Sequence, residues 1–268
     1  MSGSGKGLPD DPIRLRSTPL YRFFARIMRR QMRRGFHAVR VANGEAAEGH
    51  GGAPLVVYAN HPSWWDPPFL LLLHDRFFGE RRAFGAIDLD ALERYRFMAR
   101  IGLFGVERGT RAGARRFLKV AGAVLAEGDT ILWLTPEGGF TDPRRRPLDL
   151  RPGLAHLVHA APPETVFLPL AVEYPFWTER YPEALARFGE PLRAGDLGPL
   201  GREAAAERLR RGLEATMDSL AALAVARDAG AFQLLLEGSA GVGGVYDLWR
   251  RLKAGIEGRR FEPGHGEG

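Results

Sequence analysis

Within YANHPSWWDPPF, residues 58–69, a histidine and an aspartate stand with four residues between them, directly after an apolar run. Histidine is the usual general base near neutral pH, and a carboxylate on its far nitrogen fixes its tautomer and stabilises its cation. A chain turning at Pro62 and Ser63 would bring Asp66 back to His61. The bland reading is also concrete: Asp66 precedes Pro67 and suits the N-cap of a helix over 67–74, and His61 suits a satisfied histidine at a strand end.

What holds such a pair in place is set by the elements around it. PLVVYAN (54–60) has the pattern of a strand, as do HAVRVAN, RAFGAID, LFGVER, DTILWL, TVFLPLAVEY and a shorter piece around RFGEPL. Between them lie helical stretches at 67–74, in LDALERYRFMARIG, at about 110–127 and near 152–161, and a long one runs over about 202–227. Apolar strands alternating with amphipathic helices predict an α/β fold, a mostly parallel sheet covered by helices on both faces. In such sheets chemistry gathers beyond the carboxyl ends of the strands. His61 follows one strand, Arg108 ends LFGVER, and Glu137 with Gly138 follows DTILWL in TPEGG, so three strand ends present candidate groups to one rim.

The chain has 268 residues, 45% hydrophobic and 26% charged, enough for one full core. It contains no cysteine, which excludes a disulfide scaffold and thiolate chemistry. No apolar run approaches the roughly 18 residues of a spanning helix, and MSGSGKGLPDDP lacks the apolar core of a signal peptide. The net charge of +6 favours an anionic partner. Arginines are densest in STPLYRFFARIMRRQMRRG, where Thr18–Pro19 signals a helix start. There Leu20, Phe23, Phe24, Ile27, Met28 and Met32 form a stripe, and Arg22, Arg26, Arg29, Arg30, Arg33 and Arg34 lie mostly opposite. That is the composition of an N-terminal basic amphipathic helix resting in lipid headgroups, although an ordinary surface helix has the same period. The expected division is a tail and surface helix over 1–36, a catalytic domain over 37–230 and a basic appendage over 231–268 with a helix around Val245, Leu248, Trp249 and Leu252.

NHPSWWDP resembles the first, H-x4-D box of the glycerolipid (lysophospholipid) acyltransferases, the family of the 1-acylglycerol-3-phosphate acyltransferases. LFGVER resembles the second box, LTPEGG the third and FLPLAVEY, with Pro169, the fourth, in order over roughly residues 55–175. The resemblance implies acyl transfer from an acyl-CoA or acyl-carrier-protein thioester, a co-substrate in place of any bound cofactor, to the hydroxyl of a membrane lipid acceptor. It makes His61 the base and Asp66 its orienter, and it assigns Arg108, Glu137 and Gly138 to an acceptor that is commonly a glycerol phosphate. A lipid acceptor, the lack of cysteine and of a spanning run, and the basic N-terminal helix together lead us to expect a cytoplasmic enzyme peripherally bound to the anionic inner face of the cell membrane. Gly139 and Phe140 depart from the third box, which usually continues with threonine or serine and often an arginine. Arg144, Arg145, Arg146 or Arg151 could fold back to replace that arginine, or form a solvated turn. Lysophosphatidic acid is the first expectation, with other lipid hydroxyls, sugars or lipid alcohols open.

Other chemistries fit less well. EGSAG has Glu237 in place of the first glycine of a nucleophile elbow, and GSGKG lacks a preceding strand and a following serine or threonine. His156 and His159 sit three apart with no third ligand in view, so no metal is expected. A basic protein that binds membranes or nucleic acid without turnover is the non-enzyme alternative. Nucleic-acid binding is not expected, because the arginines cluster on terminal helices and not around an aromatic-lined groove.

Overall fold

The computed structural model describes residues 11–239. A short helix α1 (Pro12–Leu15) precedes α2 (Thr18–Gly35), whose N-cap is Ser17, one residue earlier than expected. Then follow β1 (Ala38–Ala42), β2 (Leu55–Ala59), α3 (Asp66–Phe77), β3 (Arg82–Asp88), α4 (Leu89–Arg94) and β4 (Leu103–Val106). The second half carries α5 (Arg111–Ala126), β5 (Thr130–Leu134), α6 (Gly153–Ala160), β6 (Val166–Glu173) and β7 (Glu183–Phe188). It ends with β8 (Leu192–Arg193), α7 (Ala194–Leu197), α8 (Arg202–Ala226) and β9 (Gln233–Glu237).

The sheet order is β4-β3-β5-β2-β6-β7-β1-β9, with β8 paired beside β6. The run from β4 to β6 is parallel; β7 turns back against β6, and β9 lies antiparallel on β1. All five residues of β2 are buried, as a strand covered on both faces requires. Val56 and Tyr58 pack with Leu132, Phe167 and the apolar sides of α5, α6 and α8. Leu55, Val57 and Ala59 pack the other way, with Ile131, Leu168 and the inner sides of α2 and α3. The helix leaving β2 and the helix leaving β5 therefore cover opposite faces, and the two neighbouring strands diverge at a topological switch point.

Two expectations change. The strand expected near RFGEPL starts at Glu183, because pairing with β1 and β6 recruits the weak strand former EALA. The sheet also runs past residue 230: β9 belongs to its edge and not to an appendage, and the helix expected around Val245–Leu252 lies outside the described residues. Beyond β9, the Ser239 N–H donates to Phe36 O and its hydroxyl to Arg33 O, satisfying carbonyls at the end of α2.

The N-terminal stripe divides. Tyr21, Ala25 and Met32 are buried in the domain and Leu20, Phe24 and Met28 are half-buried, so α2 packs on α3 as part of the fold. Phe23, 57% exposed, and Ile27, 38% exposed, face outward among the arginines.

Candidate active site

The switch point between β2 and β5 gathers most of the expected residues. His61 stands two residues past β2, and its Nδ1 lies 2.6 Å from Asp66 Oδ2. Asp66 is 1% exposed, and its carboxylate is fully employed: Oδ2 also accepts the Ser63 N–H at 3.2 Å, and Oδ1 accepts the Tyr174 hydroxyl at 2.6 Å. It makes no cap bond to the helix it begins, so the capping alternative gives way to the histidine. The Ser63 hydroxyl accepts the Trp65 N–H and serves a turn, not nucleophilic attack.

With Nδ1–H committed to a carboxylate, the neutral imidazole carries its lone pair on Nε2. That nitrogen has no partner among the described residues, and the ring leans on Phe140, 4.5 Å away between centroids. Phe140 is 64% exposed, so an apolar wall stands beside the base at the rim.

The backbone here is stapled from both sides. Asn60 Nδ2 donates to Val172 O at 3.0 Å, while the Val172 N–H donates to Asn60 Oδ1 at 2.8 Å. The His61 N–H donates to Glu137 Oε2 at 2.9 Å, and Thr141 N–H to His61 O at 2.9 Å. Glu137 thus holds the His61 loop itself. Burial raises its pKa, and the bond from the His61 backbone works against that rise. Burial likewise lifts the Tyr174 hydroxyl far above the ordinary phenol range, reinforced by the Asp66 charge, so it stays a donor to that carboxylate.

Arg108 is exposed but not loose. Its Nε lies 2.7 Å from Asp88 Oδ2, and its Nη1 donates to Gly138 O at 3.0 Å. Gly138 has φ +71°, and a Cβ there would sit 3.0 Å from Arg151 Nε, so the glycine admits both the turn and the second guanidinium. The Arg151 N–H donates to Pro136 O at 2.8 Å. Two arginines thereby flank the Gly138 turn. Arg144 does not join them: it forks onto Asp142 at 2.9 and 2.7 Å. Arg146 reaches Asp218 of α8 at 2.6 Å, and Arg145 is exposed on the same turn. Of the four arginines offered as replacements, Arg151 is the one that reaches Gly138.

Tyr174, Asn60 and Asp88 were missed by motif reading. Tyr174 directly follows β6 at the same rim as His61, so the strand-end rule applied to that strand would have found it. Nothing local marks Asp88 as the partner of Arg108.

A buried carboxylate, a paired imidazole with an open nitrogen and two guanidiniums stand together at the carboxyl ends of an α/β sheet, an arrangement chemically able to accept a proton and hold an anion. Residues 38–173, 136 of the 268, match the acyltransferase family, and the chain belongs to that family. The 1-acyl-sn-glycerophosphate (LPA) acyltransferase PlsC from Thermotoga maritima has a similar fold, with a TM-score of 0.54. The two chains are 18% identical, over 76% of this one and 80% of that one. No curated protein matches the chain in sequence.

Proposed function

We propose that the protein transfers a fatty acyl group from an acyl-CoA or acyl-carrier-protein thioester to the hydroxyl of a lysophospholipid, with lysophosphatidic acid as the first candidate. The observation that carries this reading is the His61–Asp66 pair with Nε2 open beside Arg108 and Arg151. His61 Nε2 takes the acceptor's hydroxyl proton as its oxygen attacks the thioester carbonyl. The tetrahedral intermediate collapses with cleavage of the C–S bond, and the imidazolium returns the proton to the departing thiolate. Asp66 stabilises the imidazolium, and Tyr174 and the Ser63 N–H hold Asp66. Arg108 and Arg151 bind the acceptor's phosphate; a forked guanidinium suits that oxyanion better than an ammonium. No helix among the described residues is long and apolar enough to cross a membrane, so the lipid is met at a surface. Phe23, Ile27 and the outward arginines of α2 supply the apolar and cationic parts of that contact, at the inner face of the cell membrane.

Incubating the protein with labelled acyl-CoA or acyl-carrier protein and a panel of lysolipids tests the proposal. Labelled diacyl product from a phosphate-bearing acceptor is expected. Thioester consumption without acyl transfer to any lipid hydroxyl would reject it.

A further inference from the structure

Beneath β7 and α8 lies a cavity of about 380 Å³, bordered by Asn43, Arg187, Glu190, Arg208, Arg211 and Ser219. It is separate from the catalytic rim. Because β7 runs against β6, its last residue Phe188 pairs with Leu170, and Gly189 donates to Pro169 O. That level is about four residues below Glu173, roughly 13 Å along the strand. A ligand here does not reach His61.

The fold builds this space deliberately tight at one wall. A Cβ on Gly189 would fall 2.0 Å from Thr216 Oγ1, so only glycine lets the strand end approach α8. Asn43, at φ 54°, is pinned by its donation to Phe188 O at 2.8 Å.

The charges that line it do not balance. Several arginines around the cavity have carboxylates: Arg210 bonds Glu207 and Glu214, Arg211 at the cavity's own edge bonds Glu207, and Arg40 bonds Glu183. Arg187 and Arg208 form no ion pair or hydrogen bond with a described residue. Arg187 is half-buried at the end of β7, and Arg208 is exposed on α8, so both guanidiniums border the opening without a carboxylate to balance them. Glu190 is the one carboxylate in the lining and bonds neither of them.

We propose that this cavity is a second, non-catalytic binding site for a phosphate monoester of a small hydroxylated molecule. Arg187 and Arg208 take the phosphate, Arg211 adds positive charge from its place beside Glu207, and Glu190 accepts a hydroxyl of the ligand. The volume fits a small molecule.

Isothermal titration of the full chain with inorganic phosphate, and separately with glycerol 3-phosphate, tests the site. Saturable binding is expected that survives Arg108→Ala, which removes a guanidinium of the catalytic rim. It is expected to weaken at least ~10-fold, about 1.4 kcal/mol, in the double variant Arg187→Gln/Arg208→Gln. Arg208→Gln alone changes an exposed helix position and is expected to weaken binding several-fold, which keeps the test open if the double variant does not fold. Sedimentation with phosphatidylcholine vesicles, with and without phosphatidic acid, separates the two sources of phosphate. Binding to the anionic vesicles that depends on Arg208, without titration by inorganic phosphate, would assign the site to a lipid headgroup. Titration and sedimentation both unaffected by Arg208→Gln, or binding abolished by Arg108→Ala, would overturn the proposal.

Discussion

Helix α3 has a histidine near each end, and the two live in opposite worlds. His61, just before it, is bonded through Nδ1 to a buried aspartate and offers Nε2 to the rim. His74, in its last turn, is 1% exposed, and neither ring nitrogen has a hydrogen-bond partner. Its neighbours are also polar groups left unpaired: the Tyr21 hydroxyl, with its ring 5.5 Å away edge-on, and Trp133 Nε1, with its ring at 6.2 Å. Burial drives the His74 pKa down to about 3, and the Arg16 guanidinium, 4.9 Å over the Tyr21 ring, adds to the effect; the Arg81 backbone, short of a full hydrogen bond, opposes it only weakly. Pairing equips the first histidine for the base role proposed for it, and exclusion keeps the second neutral. Residue type alone separates neither; partners and access do.

Variants at the two ends should behave as oppositely as the environments. His61→Ala is expected to lower acyl transfer by about 10²- to 10⁴-fold while the thermal midpoint stays near that of the parent. His74→Phe should leave turnover within about two-fold. If both histidines affect turnover equally, the contrast fails. Asp66→Asn removes the charge that supports the imidazolium and should cost on the order of 10²-fold in kcat, without restoring activity when acceptor is raised. Arg108→Ala should raise the KM for a phosphate-bearing acceptor about 10-fold and leave the thioester's KM nearly unchanged; equal effects on both substrates would reassign it to structure or donor. Tyr174→Phe, which deletes one donor to Asp66, should cost about 5-fold, seen mainly in kcat.

A last effect is read in stability against pH and not in turnover. Folded His74 holds its proton less tightly than the unfolded chain, whose histidine titrates near 6.5. The unfolded state therefore binds the proton first as pH falls. The contribution of neutral His74 is present above about 6.5 and drains away toward 3, by up to about 1.4 kcal/mol per pH unit. Chemical denaturation of wild type and His74→Phe at pH 7 and pH 5 should show a narrower gap between the two pH values in the variant. Parallel losses would mean that His74 has found a partner, such as a buried water.

Much of the catalytic rim was legible because its information is local. His61, Asp66, Glu137 and Gly138 sit in two short loops after unambiguous apolar strands, and a strand-end rule needs only those strands. The helices at 111–126 and 202–226 were visible from their period for the same reason. What stayed hidden depends on residues far apart in the chain. The Asp88–Arg108 pair, the Tyr174–Asp66 bond and the choice of Arg151 over Arg144 each need the folded sheet. QLLLE was hidden in a tail and becomes a strand only because β1 offers an edge. The apolar stripe of α2 was seen, but period alone could not choose between a lipid surface and the domain, nor show that Tyr21 and Ala25 join Met32 on the buried side.

The junction of α2 with the catalytic loop has a mechanical result. A Cβ at Gly35 would lie 2.7 Å from the Trp65 ring, and Phe36 meets that ring edge-on at 5.0 Å. Trp65 is the residue before Asp66, so the end of the helix and the His61 loop share one joint without slack. A helix of 18 residues spans roughly 27 Å, and moving it would move the loop with it. If Phe23 and Ile27 are its footing on a lipid surface, as proposed, α2 becomes a fixed gauge: the plane on which it rests would set the height at which an acceptor hydroxyl arrives at Nε2.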